Sequence, residues 1–80
     1  MLASFSLVQR SDILKILFNG FTESFDSNIL SVQDLLDITA EDDPAVIVEI
    51  NGRFIYRKDF MSTFINESDR VEFIHPSFGG

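Results

Sequence analysis

Residues 13–25 carry the sequence ILKILFNGFTESF, in which a short apolar segment leads directly into an Asn-Gly pair. Apolar side chains recur at every second position from Leu14 to Phe18, which is the period of a strand with one buried face. Asn19-Gly20 follows, and both residues tolerate the positive φ angles of a two-residue hairpin turn. The alternation resumes from Phe21 to Phe25. This stretch therefore predicts a strand, a tight turn and a second strand.

A helix is predicted next, beginning after Ser31. Ser31 can cap the first turn, and Asp34 can reach back to it as in a capping box and favour the positive end of the helix dipole. Val32, Leu35 and Leu36 have the i, i+3, i+4 spacing of one apolar stripe about two turns long. The helix ends before the acidic residues 41–43, which lack the glycine and the distal glutamate of a calcium loop and are expected to form a solvated loop.

The second half of the chain repeats the strand–turn–strand pattern. Residues 45–56 read AVIVEINGRFIY and follow a proline, which is tolerated where a strand begins. Residues 57–65 have no strand period, and Phe60, Met61 and Phe64 predict a short helical turn that covers an edge of the sheet. Residues 71–74 form the last predicted strand.

This order of elements, β-β-α-β-β-turn-β, predicts an α+β fold: a β-grasp, or ubiquitin-like, roll with a mixed sheet of about five strands wrapped over one main helix. The last strand is expected at the centre of the sheet, parallel to the first, because its apolar face carries no edge-protecting charge. We expect residues 1–12 to be a poorly ordered lead-in, residues 13–75 to be the β-grasp domain, and residues 76–80 to be a flexible tail.

Composition limits the class of function. Eighty residues predict a single small domain. Thirteen acidic residues against six basic ones give a net charge of −7, which disfavours nucleic acid and anionic membranes as partners and favours a basic protein face. The chain has no cysteine, so no disulfide, thiolate metal site or cysteine nucleophile is expected. No apolar run approaches a membrane span, and the first residues lack the basic region of a secretory signal, so we expect a cytoplasmic protein.

Catalytic patterns are weak. The single histidine, His75, has no obvious orienting partner nearby in sequence and is interpreted as a strand-end residue. The basic residues Arg53, Arg57 and Lys58 are either an exposed hairpin face or a docking patch, and Tyr56 and the phenylalanines are assigned to the core. We therefore expect no catalytic residue, no metal site and no bound cofactor, and we expect the chain not to be an enzyme.

The positions of the glycines indicate a chemical role for the C-terminal tail. Two of the four are required by the hairpin turns, and the other two, Gly79 and Gly80, are the last residues. Such a tail has no side chains beyond Phe78 and can thread a narrow channel to present the α-carboxylate of Gly80. A carboxylate does not react at neutral pH by itself, so another enzyme would have to activate it, for example as an acyl-adenylate made from ATP.

Several segments together resemble one family. Residues 31–36 (SVQDLL), 48–57 (VEINGRFIYR) and 67–75 (ESDRVEFIH), with the terminal Gly-Gly, are similar to the thiamin-biosynthesis sulfur carriers, the ThiS-like proteins. The resemblance covers residues 14–80. It aligns Arg57 with a family arginine and Asp69 with the aspartate of a Gly-Asp turn. Ser68 stands in place of the usual glycine, for which we expect a slightly different turn.

The resemblance implies the chemistry of the tail. A ubiquitin-activating-enzyme-like adenylyltransferase (ThiF-like) would adenylate Gly80 with ATP-Mg. A sulfur donor such as a cysteine desulfurase or a rhodanese-like protein would then convert it to a thiocarboxylate. A thiazole synthase (ThiG-like) would take the sulfur for the thiazole ring. The segment from Pro76 to Phe78 replaces a more aliphatic family tail, which leaves the identity of the partner open.

Three other functions remain open. The related MoaD-like carriers for molybdopterin share this fold, but they usually have a longer segment than residues 57–68 between the central strands. A ubiquitin-like modifier would end as an isopeptide on lysine, and a binding module would have the Gly-Gly tail by accident. Genomic neighbours separate the two carriers, and mass spectrometry of cellular conjugates detects a modifier.

A docking face is predicted from the strand alternation. If the alternating apolar residues face the helix, Leu17 and Ile74 must lie on the opposite face, with Ile47 beside them. Exposed apolar groups clustered on a sheet commonly mark a partner site. The alternative is that residues 2–8 fold over this face and cover it.

Overall fold

The computed structural model describes residues 13–27 and 29–76. Within them lie five strands, one α-helix and one 3₁₀ turn. The elements are β1 (Leu14–Phe18), β2 (Phe21–Phe25), α1 (Val32–Ile38), β3 (Ile47–Ile50), β4 (Arg53–Ile55), the 3₁₀ turn (Arg57–Asp59) and β5 (Arg70–Ile74). Over these same residues, no helix is long and apolar enough to cross a membrane. The predicted lead-in, residues 1–12, and the tail residues 77–80 lie outside the described residues.

The strands form one mixed sheet in the order β2-β1-β5-β3-β4. β5 runs parallel to β1 and antiparallel to β3, so it lies at the centre. Both hairpins turn on their Asn-Gly pairs: φ is 49° at Asn19 and 88° at Gly20, and 54° at Asn51 and 83° at Gly52. These left-handed angles match the twist of the flanking strands. The α+β class, both hairpins and the central last strand are confirmed.

The helix begins as its sequence predicts. Ser31 Oγ accepts a hydrogen bond from the Asp34 backbone N–H at 3.0 Å, and Asp34 Oδ2 accepts one from the Ser31 N–H at 3.0 Å. This capping box satisfies two N–H groups that the first turn leaves without partners. The apolar stripe of Val32, Leu35 and Leu36 is buried against the sheet.

The core lies between α1 and the inner face of the sheet. Phe18 and Phe73 meet edge-to-face there, with ring centroids 4.9 Å apart. The buried apolar residues are Leu14, Ile16, Leu30, Val32, Leu35, Leu36, Val46, Val48, Ile50, Phe60, Ile65, Val71 and Phe73.

Assigning every aromatic residue to the core was wrong. Phe21, Phe54, Tyr56 and Phe64 are all more than half exposed. Phe21 is the first residue of the edge strand β2, and Phe54 alternates with Ile55, which packs against the core, so Phe54 lies on the outer face of the sheet. The predicted helical turn after β4 is present, but it buries Phe60 and leaves Met61 and Phe64 exposed.

The turn before β5 keeps the geometry that glycine favours although serine occupies it. Ser68 has φ of 70°, in the left-handed region. Its N–H donates to the Lys15 carbonyl at 2.8 Å, which fixes the turn against β1. Serine therefore occupies a backbone conformation that usually favours glycine.

Phe73→Ala should lower the free energy of unfolding by about 3–5 kcal/mol, because it leaves a cavity beside Phe18 in the core. Phe21→Ala is the matched control: Phe21 is 71% exposed, so the same substitution should change stability by no more than about 0.5 kcal/mol. Urea unfolding of both variants measures the difference. Equal losses would show that the core is not where the structure places it.

Candidate functional site

The last strand leaves the sheet from its centre. β5 ends at Ile74, and Pro76 is the last residue that the structure describes before the C-terminus. The predicted tail residues Phe78, Gly79 and Gly80 lie outside the described residues. The fold therefore fixes the point from which the tail departs, at the end of a strand with a neighbour on each side.

Both hairpin asparagines hold β5 in place. Asn19 Oδ1 accepts a hydrogen bond from the Phe73 N–H at 2.8 Å, and Asn51 Oδ1 accepts one from the Arg70 N–H at 2.8 Å. The Asn51 backbone N–H also donates to the Arg70 carbonyl at 2.7 Å, and its side-chain amide donates to Asp69 Oδ1 at 2.9 Å. Sequence reasoning used these asparagines only as turn residues and missed this second role. An aspartate would also have suited the turn, but only the amide can both accept from Arg70 and donate to Asp69.

A long-range ion pair closes the end of β5. His75 Nε2 lies 2.8 Å from Glu41 Oε1, and the second carboxylate oxygen of Glu41 accepts a hydrogen bond from the Asp43 N–H at 3.2 Å. Ala40, with φ of 56°, turns the chain after α1 and brings Glu41 toward β5. The expectation that residues 41–43 are only a solvated loop is wrong for Glu41, whose side chain is 15% exposed.

The pair shifts both titrations. The hydrogen bond from His75 is the largest influence on the pKa of Glu41 and lowers it below the usual 4.5. The same bond raises the pKa of His75 above its usual 6.5, and the charges of Glu41 and Asp43 act in the same direction. Sequence reasoning missed this partner because it lies 34 residues away and no local pattern marks it.

The predicted docking residues do share the outer face of the sheet, the face turned away from the helix. Ile47 and Ile74 are direct cross-strand partners on β3 and β5. Leu17 lies on β1 opposite Arg70, at the other end of β5, about 13 Å along the strand from Ile74. Ile74 is 38% exposed and Leu17 is 37% exposed. The structure therefore brings Ile47 and Ile74 together but not Leu17.

Aromatic side chains extend the same face toward the edge. Phe54 on β4 pairs with Glu49 on β3. Its ring meets that of Tyr56 edge-to-face, with centroids 4.7 Å apart, and both rings are more than half exposed. This aromatic pair lies on the outer face because the strand alternation turns Phe54 away from the core.

The basic residues of β4 and the 3₁₀ turn have separate contacts. The guanidinium of Arg57 donates to the Pro44 carbonyl and lies over the Phe60 ring, 5.1 Å from its centroid. This places Arg57 as a tie between the 3₁₀ turn and the start of β3. Lys58 pairs with Asp59 and lies 5.8 Å from the Tyr56 ring, while Arg53 is exposed on β4.

Within the described ranges, no group of three or more His, Asp or Glu residues could hold a metal ion. An open groove of about 250 Å³ lies between β4 and residues 63–69. Its one carboxylate, Asp69, already accepts hydrogen bonds from Asn51 and from the Asn66 N–H. This carboxylate is therefore engaged in holding the turn before β5.

A protein-family model and solved structures match this chain. The model of the ThiS family matches residues 16–80. A crystal structure of the thiamine biosynthesis protein ThiS from Geobacter metallireducens is similar with a TM-score of 0.76 and 30% identity, over 84% of this chain and 100% of that one. An NMR solution structure of a thiamine biosynthesis protein from the same organism gives a TM-score of 0.67 and 31% identity, over 84% of this chain and 88% of that one. A comparison with curated proteins gives no match.

The pair between His75 and Glu41 predicts a pH window of added stability. Because the pKa of His75 is raised in the folded state, its contribution to the free energy of unfolding is complete below its usual pKa of 6.5. That contribution is lost as the pH rises through the raised pKa. Because the pKa of Glu41 is lowered, its contribution is present above 4.5 and is lost as pH falls through the lowered value. The difference in thermal midpoint between wild type and Glu41→Gln should therefore be largest between these limits.

A direct measurement is available because the chain has one histidine, so its imidazole proton resonance is unambiguous. NMR titration should give a His75 pKa above 6.5 in the wild type and a lower one in Glu41→Gln. Asp42→Asn, a neighbouring exposed carboxylate, is the control and should leave the His75 pKa unchanged. The same titration curve in all three proteins would rule out the ion pair.

Proposed function

The chain belongs to the ThiS family of ubiquitin-like sulfur carriers, and from this premise we propose that the carboxylate of Gly80 is the group on which its chemistry takes place. A partner adenylyltransferase activates this carboxylate with ATP-Mg, and a sulfur donor converts it to a thiocarboxylate. The chain itself is the sulfur carrier and binds no cofactor of its own. The single observation that carries the proposal is the family match, which extends through residue 80.

The geometry of the described residues supports a carrier. β5 pairs with β1 at Arg70 and Val71 and with β3 as far as Ile74, so residues beyond Ile74 start from a strand that is held in the centre of the sheet. Directly after Ile74, the side chain of His75 bonds to that of Glu41. A terminal carboxylate that extends from the end of this strand can reach a nucleotide that is buried in a partner. The folded domain stays outside and provides the docking surface.

The proposed steps balance. One oxygen of the Gly80 carboxylate attacks the α-phosphate of ATP, and pyrophosphate leaves. The persulfide sulfur of a cysteine desulfurase or a rhodanese-like protein then attacks the acyl carbon, and AMP leaves with the carboxylate oxygen. A second thiol cleaves the S–S bond of the acyl disulfide and releases the thiocarboxylate. A ThiG-like thiazole synthase then receives the sulfur for the thiazole ring of thiamine.

The docking surface for the adenylyltransferase is proposed on the outer face of the sheet. Ile47 and Ile74 form its centre beside the start of the tail, and Leu17 contributes from the far end of β5. Apolar side chains that the fold leaves exposed on one face are available for a partner at no cost to the core.

Ile74→Asp should weaken binding to the adenylyltransferase, because it places a charge at the centre of the apolar surface. The thermal midpoint should change little, since the side chain is exposed. Ile38→Asp is the matched control, because Ile38 is exposed at the end of α1, away from the sheet. Calorimetric titration measures the binding of both variants, and thermal unfolding measures their midpoints. Unchanged binding in Ile74→Asp, or equal weakening in the two variants, contradicts this placement of the surface.

The tail gives the sharpest test of the proposal. Deletion of Gly80 or Gly79→Ala should leave stability within about 0.5 kcal/mol of the wild type, the usual range for surface changes. The same changes should reduce ATP-dependent activation on the order of 100-fold, because misplacing a reacting group by about 1 Å has that effect. A Cβ at position 79 also restricts φ and adds bulk to the tail. Pyrophosphate exchange measures activation, and thermal unfolding measures stability.

Gly52→Ala is the opposite control. Gly52 has φ of 83°, so a Cβ there strains the second hairpin and should lower the thermal midpoint. Activation per folded molecule should remain normal. If the protein without Gly80 is activated as well as the intact chain, the carrier proposal is wrong. If the activated tail is recovered as an isopeptide on lysine, the chain is a modifier.

A further inference from the structure

Two glutamates face each other on the outer face of the sheet. Glu49 on β3 and Glu72 on β5 are direct cross-strand partners, and both are partly buried. Side chains in such a register have Cβ atoms about 4.5–5.5 Å apart. Like charges directly opposite each other destabilise a sheet. The register therefore places two glutamates directly opposite each other, a pairing that costs the sheet stability.

The described residues do not neutralise this pair. Neither glutamate forms an ion pair with a described residue, and no side-chain hydrogen bond to either occurs there. The cation nearest in sequence on the same face of β5 is Arg70. Its guanidinium lies toward the second hairpin, with one nitrogen 3.6 Å from where a Cβ on Gly52 would stand. Lys15, a further cation on this face, lies on β1 opposite Ser24 of β2, and Lys58 lies beside the Tyr56 ring and pairs with Asp59.

Apolar side chains border the carboxylates. Phe54 is the next residue in the same cross-strand row, opposite Glu49. Ile47 and Ile74 form the adjacent row, two residues along each strand and about 7 Å away. An ion pair formed with these carboxylates would be shielded from water on two sides once a partner covered the face. Partial burial makes such a pair stronger than one on an open surface.

We propose that Glu49 and Glu72 receive an arginine of the adenylyltransferase, which inserts between them while apolar residues of that enzyme cover Ile47, Ile74 and Phe54. This inference rests on the proposed function and defines the chemistry of its docking partner. The guanidinium group fits because its planar fork can bind two carboxylates at once and its face can stack on an aromatic ring. The partner thereby relieves a repulsion that the free carrier retains, so the glutamates contribute to binding rather than to folding.

Charge complementarity argues against other occupants. A symmetric dimer centred on this face would bring four carboxylates together, because an isologous contact pairs a surface with itself. Nucleic acid and anionic lipid would be repelled by the pair and by the net charge of −7. The wide apolar border favours a protein partner that covers the whole face.

The test compares three charge-neutralising variants in the full chain. Glu49→Gln and Glu72→Gln remove one carboxylate each, and Glu23→Gln is the matched control. Glu23 is exposed on β2 and faces the other side of the sheet, since it pairs with the buried Ile16. All three change the net charge by the same amount, so the control corrects for long-range attraction. The measurements are the thermal midpoint of the free chain and the KM and kcat of its ATP-dependent activation.

The two substitutions should stabilise the free chain but weaken its binding to the enzyme. Glu49→Gln and Glu72→Gln should raise the thermal midpoint of the free chain, because each removes the repulsion. Each should also raise the KM for activation at least about tenfold with little change in kcat, as loss of a shielded charge pair does. Glu23→Gln should change neither quantity. An arginine-to-alanine variant of the enzyme should weaken activation of the wild-type carrier at least as much as either glutamine substitution does, and should cause no further loss with the double variant Glu49→Gln/Glu72→Gln.

Each contrary outcome overturns a definite statement. If the wild type is activated but Glu49→Gln and Glu72→Gln keep its KM, or shift it no more than Glu23→Gln does, the arginine site is wrong and the carrier function stands. If the wild type is not activated by any cognate adenylyltransferase, both proposals fail. If sedimentation shows a wild-type dimer that Glu72→Gln strengthens, the face belongs to a second copy of the chain.

Discussion

Strand β5 sits at the centre of the sheet because two hairpins hold it with the same kind of residue. Asn19 and Asn51 each adopt the left-handed conformation of a tight turn, and each directs its side-chain oxygen to a backbone N–H of β5. The parallel ladder between β1 and β5 covers only two residue pairs, so the bond from Phe73 to Asn19 extends it. Together with the four residue pairs that β5 forms with β3, these bonds fix the strand that buries Val71 and Phe73 and from which the tail departs.

Most of the fold followed from local patterns. Strand alternation, two Asn-Gly pairs and the Ser31–Asp34 capping box each act within a few residues, and the structure has each element where its pattern placed it. The central position of β5 followed from the absence of charge on its apolar face. The aromatic residues show where such reasoning ends. Phe54 and Phe73 have similar strand contexts in sequence, but only one faces the seven-residue helix, and burial depends on that global arrangement.

Some parts of the candidate site could likewise be predicted from the sequence, and others could not. The resemblance to a family identified the tail, and alternation placed Ile47 and Ile74 on one face. The partner of His75 could not be found from sequence, because Glu41 reaches it only after the chain has turned at Ala40. The opposition of Glu49 and Glu72 was equally hidden, since register between β3 and β5 is set by the packing of the whole sheet. Sequence patterns specify elements, whereas pairs of residues that are distant in the chain require the assembled fold.

These features divide the molecule into a carrier body and a reacting end. In the proposed function, the body holds β5 and offers an outer face with exposed apolar groups and with two glutamates that no described residue pairs, whereas the chemistry takes place on the carboxylate of Gly80. The intact mass of the protein purified from its own cells under reducing conditions tests this division most directly. We expect a species heavier than the sequence mass by the difference between one sulfur and one oxygen atom, with the change confined to Gly80. A mass that always equals the sequence mass in cells that are actively making thiamine, or a change located on any other residue, would contradict it.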